Sequence, residues 1–402
     1  MADLSVLGVD VEPQLVNELN NGVTHIIEPG LQDSLRVVIK QRKYKAALNP
    51  EPSSVFIVSV PSPIDDHNQP VLDYILAAAT AIAPHLRTGS LVILESTVPP
   101  GTTTGAFAEA LADNSSVKPS EYLVAHCPER VLPGQILHEL IHNDRVIGGV
   151  TDEASQAALK LYRTFVKGEI VITNATTAEL VKLSENIYRD VNIGLANELA
   201  LAAESLGVDI WQATAIANRH PRVNIHQPGP GVGGYCIPVA SAFLAAGTDV
   251  STPTINGARR VNSIQPKRTA DQLFELLTGI TNPVVAVLGV AYKGNVGDAR
   301  ATPADPIIER LEKSGATVKV HDPLSMNSRH NLVSLESALE GANAVMVITD
   351  HDQFSQIDPT TAAKLMSGRI VFDGRNILPL KPWQEAGFTV TRLGDGTTHS
   401  AT

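Results

Sequence analysis

The sequence predicts an α/β protein with two parallel-sheet domains joined by a helical middle domain that contains one long helix. Three observations lead to this prediction. Short apolar runs alternate with helical stretches up to about residue 175, and a second series of such units begins near residue 266. Between them, residues 177–206 contain no proline and carry apolar residues at helical spacing. We therefore expect domains at 1–175, 176–265 and 266–402.

Length and composition limit the class of protein. A chain of 402 residues can build two or three domains, each with its own hydrophobic core. The net charge of -11 argues against a nucleic-acid-binding surface, and two cysteines cannot form a disulfide framework. Neither a signal peptide nor an apolar run of about 18 residues is recognisable. These properties predict a cytoplasmic protein without membrane contact, and no pattern predicts a metal site.

The first predicted strand, at residues 5–9, ends at Asp10, and Glu12 with Pro13 then starts a helix. In a Rossmann-like fold, an acid at the end of the second strand accepts hydrogen bonds from an adenosine ribose, and Asp10 fits that role. The first strand and its glycine-rich turn should precede this acid by about 20 residues. Only nine residues do so here. Either the sequence begins at an internal methionine, or the domain lacks its first βα unit.

Two further apolar runs, at 54–60 and 91–94, are typical of buried strands in a parallel sheet. Ser62 and Thr97 follow these runs. Because ligands bind at the carboxyl ends of parallel strands, both residues are placed to face a cofactor. Each could equally be an ordinary cap at the end of a strand.

The long middle helix presents Lys182, Asn186 and Arg189 on one side, since they are spaced four and three residues apart. At 1.5 Å per residue, a helix of this length extends about 45 Å, enough to link two domains and to supply a dimer face. The three polar side chains could line a site for an anionic ligand. The pattern alone favours the alternative that they are solvated surface.

Residues 227–244 place Cys236 directly after a run of glycines and prolines. A thiolate on such a turn is accessible to substrate and is the best nucleophile among the side chains. The alternative is a small buried hydrophobic residue. The glycines at 229, 231 and 234 match the GxGxxG dinucleotide pattern, but no strand precedes them. Pro238 would interrupt the first turn of a following helix, so we predict a loop.

Five motifs and their order suggest a family. They are CPERVLPG at 127–134, NDRVIGG at 143–149, KLSENIYRDVNI at 182–193, NRHPRVNI at 218–225 and GPGVGGYCIP at 229–238. Together they resemble the UDP-sugar dehydrogenases, also called the UDP-glucose/GDP-mannose dehydrogenase family. The stretch VLGVAYKGNVGDARATP at 287–303 resembles the family's third-domain motif. Within the family, the motifs are most similar to the branch that oxidises UDP-N-acetyl-D-mannosamine.

The resemblance implies a four-electron oxidation of the sugar C6 alcohol to a carboxylate with NAD, for the synthesis of surface polysaccharide. Cys236 matches the nucleophile that carries the thiohemiacetal and thioester intermediates. Lys182 matches the general acid/base, and Asn186 would be a second donor to the reacting oxygen. Glu129 matches a carboxylate that orders the hydrolytic water.

The resemblance also implies the binding sites. NAD-contacting positions are matched by Asp10, Ser62, Thr97 and Arg300. Positions that hold the UDP-sugar are matched by Arg130, Val131, Arg189, His220, Arg222, Gly233, Tyr292 and Lys293. A homodimer or larger homo-oligomer would form through the long helix.

Two departures from the family pattern leave other functions open. The aspartate that usually follows the cysteine by four residues is replaced by Ala240, which puts hydrolysis of the thioester in doubt. Without the glycine-rich first turn, we expect weak or no NAD binding. The alternatives are the same oxidation of UDP-N-acetylglucosamine or UDP-glucose, and a catalytically silent relative that binds UDP-sugars.

Overall fold

A computed structural model describes residues 4–26, 28–65, 67–234, 236–325 and 327–396. The chain divides into two compact units. The first unit contains Met1–Glu185 and Ala242–Ser251, and the second contains Asn186–Ser241 and Thr252–Thr402.

The first unit begins with a two-stranded parallel sheet. Its strands are β1 (Val6–Val9) and β2 (Tyr44–Ala47), and two helices lie between them in sequence, α1 (Pro13–Asn20) and α2 (Leu31–Lys40). Glu12 caps α1 and Pro13 occupies its first turn, as expected from the sequence.

The first unit also contains a five-stranded sheet, in the order β3-β4-β5-β6-β7. All neighbouring strands are parallel except β5 and β6. The strands are β3 (Val55–Val58), β4 (Leu91–Leu94), β5 (Leu123–His126), β6 (Arg145–Gly149) and β7 (Ile170–Asn174). The helices between them are α3 (Asp73–Ile82), α4 (Ala106–Asn114), α5 (Ile136–His142) and α6 (Asp152–Tyr162). Strand β4 is buried along its whole length, because it lies between two neighbouring strands with apolar side chains packed on both faces.

The two sheets of this unit are separate. Among the described strands, β1 pairs only with β2, and β3 pairs only with β4. Val6 and Ile57, on these two edge strands, are 52% and 49% exposed. The facing edges of β1 and β3 are thus unpaired among the described strands.

The long helix predicted at 177–206 is confirmed as α7 (Ala175–Leu206), which is continuous over 32 residues. Three further helices follow: α8 (Ile210–Ala217), α9 (Cys236–Ala246) and α10 (Pro253–Leu276). Helix α10 continues through Pro266. No helix in the described part of the chain combines the length and apolar composition needed to cross a bilayer.

The loop prediction at the cysteine is wrong on one point, because helix α9 begins at Cys236 itself. Pro238 is the third residue of this helix. Proline is tolerated in the first turn, where its missing N–H would have no partner within the helix. Pro238 therefore does not exclude a helix, and Cys236 lies at a helix N-terminus.

The second unit contains a fully parallel sheet in the order β12-β11-β10-β8-β9. Its strands are β8 (Val284–Leu288), β9 (Thr317–His321), β10 (Ala344–Val347), β11 (Ile370–Asp373) and β12 (Thr389–Arg392). Its helices are α11 (Ala304–Lys313), α12 (Leu335–Leu339), α13 (Pro359–Leu365) and α14 (Leu380–Glu385). The predicted second set of βα units is thus confirmed.

His126 ends β5 with a fully buried side chain, and neither ring nitrogen has a hydrogen-bond partner among the described residues. Burial lowers the pKa of this imidazole from 6.5 to about 3, because the charged form cannot be solvated. The nearby carbonyl of Leu94 acts in the opposite direction, but less strongly than burial. The ring is therefore neutral in the folded protein.

We expect His126 to make the first unit less stable in acid. Below pH 6.5 the unfolded chain binds a proton that the folded unit excludes until about pH 3, so stability falls as the pH falls. This group should remove about 2 kcal/mol between pH 7 and pH 5. Hydrogen exchange of the β4 and β5 amides, corrected for intrinsic rates, would measure the loss in wild type and in His126→Leu. An equal loss in both proteins would contradict the assignment.

Candidate active site

Three predicted cofactor residues follow strands of the first unit. Asp10 comes after β1, Ser62 after β3 and Thr97 after β4, and all three are half-buried. One oxygen of Asp10 accepts a hydrogen bond from the Glu12 N–H at 2.9 Å. A half-buried acid at the end of a parallel strand fits a ribose, and hydroxyl groups at the next strand ends fit a nucleotide.

The described residues fit the pyrophosphate of NAD less well. A dinucleotide-binding fold holds this group at the N-terminus of the helix that follows its glycine-rich turn. In the first unit, the helix nearest to Asp10 is α1, and the Glu12 carboxylate caps its N-terminus by accepting from the Gln14 N–H at 3.5 Å. No strand, glycine-rich turn and helix in that order are present in the described part of this unit. The described residues of this unit therefore suit the nucleoside portions of NAD better than its pyrophosphate.

Glu179 connects the long helix to the loop after Thr97. Its buried carboxylate accepts hydrogen bonds from the N–H groups of Gly101, at 2.6 Å, and Thr103, at 2.7 Å. Burial raises the pKa of Glu179, and the bonds from Thr103 and Gly101 act against this rise. Lys182, the predicted acid/base, is half-buried and lies three residues further along the same helix. The loop is therefore fixed to the turn of α7 that carries Lys182.

Glu129 and Arg130 lie in the segment after β5. The Glu129 carboxylate accepts hydrogen bonds from the N–H groups of Arg130, at 2.5 Å, and Val131, at 2.9 Å. The Arg130 guanidinium forms an ion pair with Glu185 of α7 at 2.5 Å and donates to the Asp144 carbonyl at 3.0 Å. Arg130 would have to share or exchange these partners to bind a phosphate.

A buried polar cluster supports this segment. The Arg145 guanidinium is 3.9 Å from both Glu95 and Glu129, 3.8 Å from the Cys127 sulfur, and 5.0 Å from the centre of the Tyr162 ring. The Tyr162 hydroxyl donates to Glu95 at 2.5 Å. Burial raises the pKa of the Cys127 thiol to about 11, so this thiol stays protonated. A fully buried, protonated thiol does not suit a nucleophile, so Cys127 is the weaker candidate of the two cysteines.

In the second unit, Cys236 is exposed, and its peptide is fixed by Asn186. The buried Asn186 side chain donates from Nδ2 to the Cys236 carbonyl at 3.1 Å. The amide nitrogen expected to face a substrate oxygen therefore binds the backbone of the cysteine. The role of Asn186 as a donor to substrate stays a prediction.

The glycines before Cys236 pack closely against another part of the same unit. A Cβ atom at Gly231 would lie 2.6 Å from Pro303, and one at Gly233 would lie 2.8 Å from both Tyr292 and the Ala301 carbonyl. Gly234 has a φ of +79° and its N–H donates to the Ala301 carbonyl at 3.2 Å. Side chains at these positions would force this packing apart.

Tyr292 is brought close to the cysteine by this packing. Burial raises the pKa of the Tyr292 hydroxyl, and its electrostatic interactions with Asp298 and the Cys236 side chain add to the rise. Two predicted substrate residues, Gly233 and Tyr292, thus meet beside the candidate nucleophile, although about 60 residues separate them in sequence. The protein fold brings them together in a way that no local pattern could predict.

The other predicted residues of this unit lie at its surface. Arg189 is exposed on α7, and its charge adds to the burial that lowers the pKa of His226. Arg300 forms a two-point ion pair with Asp298. No hydrogen bond or ion pair of the described residues joins the exposed His220, Arg222 or Lys293 side chains to the cysteine segment. Their predicted roles in holding a UDP-sugar stay predictions.

Arg375 is a candidate that sequence reasoning missed. It follows β11, donates from Nε to the Ile348 carbonyl at 2.8 Å, and its Nη1 lies 2.7 Å from where a Gly229 Cβ would be. Burial lowers the pKa of this guanidinium, and the carboxylates of Asp350 and Asp373 oppose the change. The available signal was the position of an arginine at the carboxyl end of a strand.

The chain matches three domain models of the UDP-glucose/GDP-mannose dehydrogenase family: the NAD binding domain at residues 1–166, the central domain at 176–264 and the UDP binding domain at 286–380. A protein named UDP-N-acetyl-D-mannosamine dehydrogenase, from Methanococcus maripaludis, is 40% identical over 400 residues, which cover 97% of this chain and 92% of that protein.

Two further relatives are similar over most of their length. The NDP-N-acetyl-D-galactosaminuronic acid dehydrogenase of Ralstonia nicotianae is 41% identical over 394 residues, covering 94% of this chain and 91% of the relative. The solved structure of UDP-D-ManNAc dehydrogenase from Pyrococcus horikoshii is 41% identical and superposes with a TM-score of 0.92. It covers 98% of this chain and 95% of that one.

Arg145→Met should destabilise the first unit by about 3 kcal/mol, because Glu95 and Glu129 would lose their shared buried counter-charge. Hydrogen exchange of the β5 and β6 amides would measure the change. The double variant Arg145→Met/Glu95→Gln should recover part of the loss, since glutamine can still accept the Tyr162 hydrogen bond. Arg163→Met, at an exposed arginine of the same unit, is the matched control and should change stability by less than about 0.5 kcal/mol. Equal effects at positions 145 and 163 would contradict this account.

Proposed function

Because the chain belongs to the UDP-glucose/GDP-mannose dehydrogenase family, we propose that it oxidises the C6 alcohol of UDP-N-acetyl-D-mannosamine to the uronic acid. The observation that carries the proposal is the exposed Cys236 at the start of α9, beside Tyr292. First-turn N–H groups favour negative charge, as a nucleophilic thiolate requires. The names of two relatives at about 40% identity support this choice of sugar.

The proposed chemistry divides between the chain's own residues. NAD, when bound, supplies the hydride acceptor for both oxidations. Lys182 takes the proton of the C6 hydroxyl as the aldehyde forms. The Cys236 thiolate then attacks the aldehyde carbon, a C–S bond forms, and the oxygen takes a proton to give a thiohemiacetal. A second hydride loss leaves a thioester, and a water ordered by Glu129 adds to its carbonyl and displaces the thiolate.

The binding residues are proposed by their chemistry. Asp10, Ser62 and Thr97 would hold the nucleosides of NAD from the strand ends of the first unit. Arginine and lysine side chains suit the UDP pyrophosphate, and Arg375 joins the predicted set because it lies beside the cysteine segment. That set is Arg130, Val131, Arg189, His220, Arg222, Gly233, Tyr292 and Lys293. Arg300 is proposed as a further NAD contact.

We also propose a function for each of the three predicted domains. Residues 1–175 would bind NAD, residues 176–265 would dimerise and present the cysteine, and residues 266–402 would bind the UDP-sugar. Exposed apolar residues on α7, among them Tyr188 at 53% and Leu195 at 44%, suit a homodimer face. The two cysteines, of which one is buried and one exposed, suit the cytoplasm, where UDP-sugars would feed surface polysaccharide synthesis.

Ala240 favours a second candidate function. This residue is fully buried in the first turns of α9 and supplies no carboxylate where the family pattern has an aspartate. A catalytically silent relative that still binds UDP-sugars would tolerate this change. Oxidation of UDP-N-acetylglucosamine or UDP-glucose is the alternative within the enzyme class.

The test is NADH formation with UDP-N-acetyl-D-mannosamine at millimolar NAD. We expect two NADH per sugar, because the alcohol loses four electrons, and at least a 1000-fold loss in Cys236→Ala. Parallel reactions with UDP-N-acetylglucosamine and UDP-glucose should be slower. UDP-sugar binding by calorimetry without NADH formation would favour the silent relative instead.

Ala240→Asp should speed the hydrolysis of the thioester, because the family resemblance implies that an aspartate at this position helps to position Lys182 or to activate the water. Rapid mixing of wild type should give an initial burst of two NADH per site, followed by slow turnover. In Ala240→Asp the steady rate should rise at least tenfold and the burst should shrink. Ala240→Asn, which adds the same bulk without the charge, is the control. A gain in Ala240→Asn equal to that in Ala240→Asp would rule out the carboxylate as the cause.

A further inference from the structure

A chain of buried hydrogen bonds runs from Asp190 on α7 to the glycine segment before Cys236. Asn262 of α10 donates from Nδ2 to the Asp190 carboxylate and carbonyl, both at 2.8 Å. Asn262 Oδ1 accepts from Asn197 Nδ2 at 3.0 Å, and Asn197 Oδ1 accepts from the Gly229 N–H at 2.9 Å. The three side chains are at most 3% exposed. We call this series the Asp190–Gly229 chain.

The direction of the Asp190–Gly229 chain is fixed by its ends. A backbone N–H can only donate, so Asn197 must present its oxygen to Gly229 and its nitrogen to Asn262. Asn262 must then turn its own nitrogen toward Asp190, whose ionised carboxylate can only accept. Turning over either amide would place oxygen against oxygen or nitrogen against nitrogen. The orientations of the Asn197 and Asn262 amides are therefore coupled.

Two further contacts complete the arrangement. Arg259 donates from Nη1 to the Asp190 carboxylate at 2.8 Å, and Gln265 donates from Nε2 to the Gly229 carbonyl at 3.1 Å. Both backbone groups of Gly229 are thus held by buried side chains. At the other end of the segment, Asn186 holds the Cys236 carbonyl. The segment is anchored before and at the nucleophile.

The helices that carry this chain also contact each other through small residues. A Cβ atom at Gly194 would lie 3.0 Å from Ala258, so α7 and α10 already approach closely through small residues. Burial raises the pKa of Asp190, and Arg259 opposes the rise. A buried ion pair is often no more stabilising than apolar residues of the same volume. This makes a role in fixing geometry the better account of the polar chain.

We propose that Asn197, together with Asp190 and Asn262, is a positioning residue for Cys236. The inference rests on the proposed role of Cys236 as nucleophile. Without Asn197, the Gly229 N–H would be buried without its acceptor, and the segment would shift to regain one. A shift of about 1 Å at a reacting group can lower turnover about 100-fold. The strand ends proposed to bind NAD lie outside this segment.

The test removes the acceptor of the Gly229 N–H. Asn197→Leu, which is close in volume but cannot hydrogen-bond, should lower kcat at least 50-fold with the KM for NAD within twofold. Asn197→Asp keeps an oxygen for the Gly229 N–H and should retain at least tenfold more kcat than Asn197→Leu. Equal kcat in the two variants, or a kcat within twofold of wild type in Asn197→Leu, would overturn the proposal.

A second measurement does not depend on turnover. The rate of Cys236 alkylation by iodoacetamide, followed by peptide mass spectrometry without substrate, should fall at least fivefold in Asn197→Leu and less in Asn197→Asp. Asn192→Ala is the matched control, since the Asn192 side chain donates to the Tyr188 carbonyl within α7, and its rate should stay within twofold. If wild type makes no NADH, the proposed function fails, while the alkylation rates still decide on the positioning role. Unchanged alkylation in Asn197→Leu would overturn it.

Discussion

Hydrogen bonds with α7 hold segments that carry candidate site residues in each of the two units. Successive residues of an α-helix are turned by about 100°, so inserting or deleting one residue would redirect every side chain beyond it. Glu179 holds the loop after β4, Asn186 holds the Cys236 carbonyl, and Asn197 holds the Gly229 N–H. Each of these bonds requires a particular face of the helix. Each bond therefore depends on the local register of α7 within its own unit.

The bonds made by α7 involve charged and polar groups inside the protein. Burial raises the pKa of Glu179 and of Asp190, so each carboxylate depends on donors that compensate for lost water. Apolar contacts at the same places would hold the helices together but would not fix the direction of a peptide group. Hydrogen bonds have that directional requirement.

The features that depend on local sequence pattern could be predicted from the sequence. The continuity of α7 followed from the spacing of its apolar residues, and the strand-end positions of Ser62 and Thr97 followed from short apolar runs. The start of α9 was missed because proline was treated as a helix breaker, although its position in the first turn makes it harmless. The partners of Asn197 and Arg145 could not be predicted. They come from segments far away in sequence, and nothing local marks a buried asparagine as part of a series.

The two parallel-sheet domains differ in how they use the acid at the end of a strand. Asp322 follows β9 and accepts hydrogen bonds from the N–H groups of Val290, Ala291 and Leu324 and from His351. Although burial opposes the change, these donors, His351 first among them, hold the pKa of Asp322 below its usual range. A carboxylate so fully engaged has little capacity left for ribose hydroxyls. Asp10 accepts one described hydrogen bond, so this acid is suited to a ribose in the first unit. At the same fold position in the second unit, Asp322 instead supports the backbone at Val290 and Ala291, just before Tyr292.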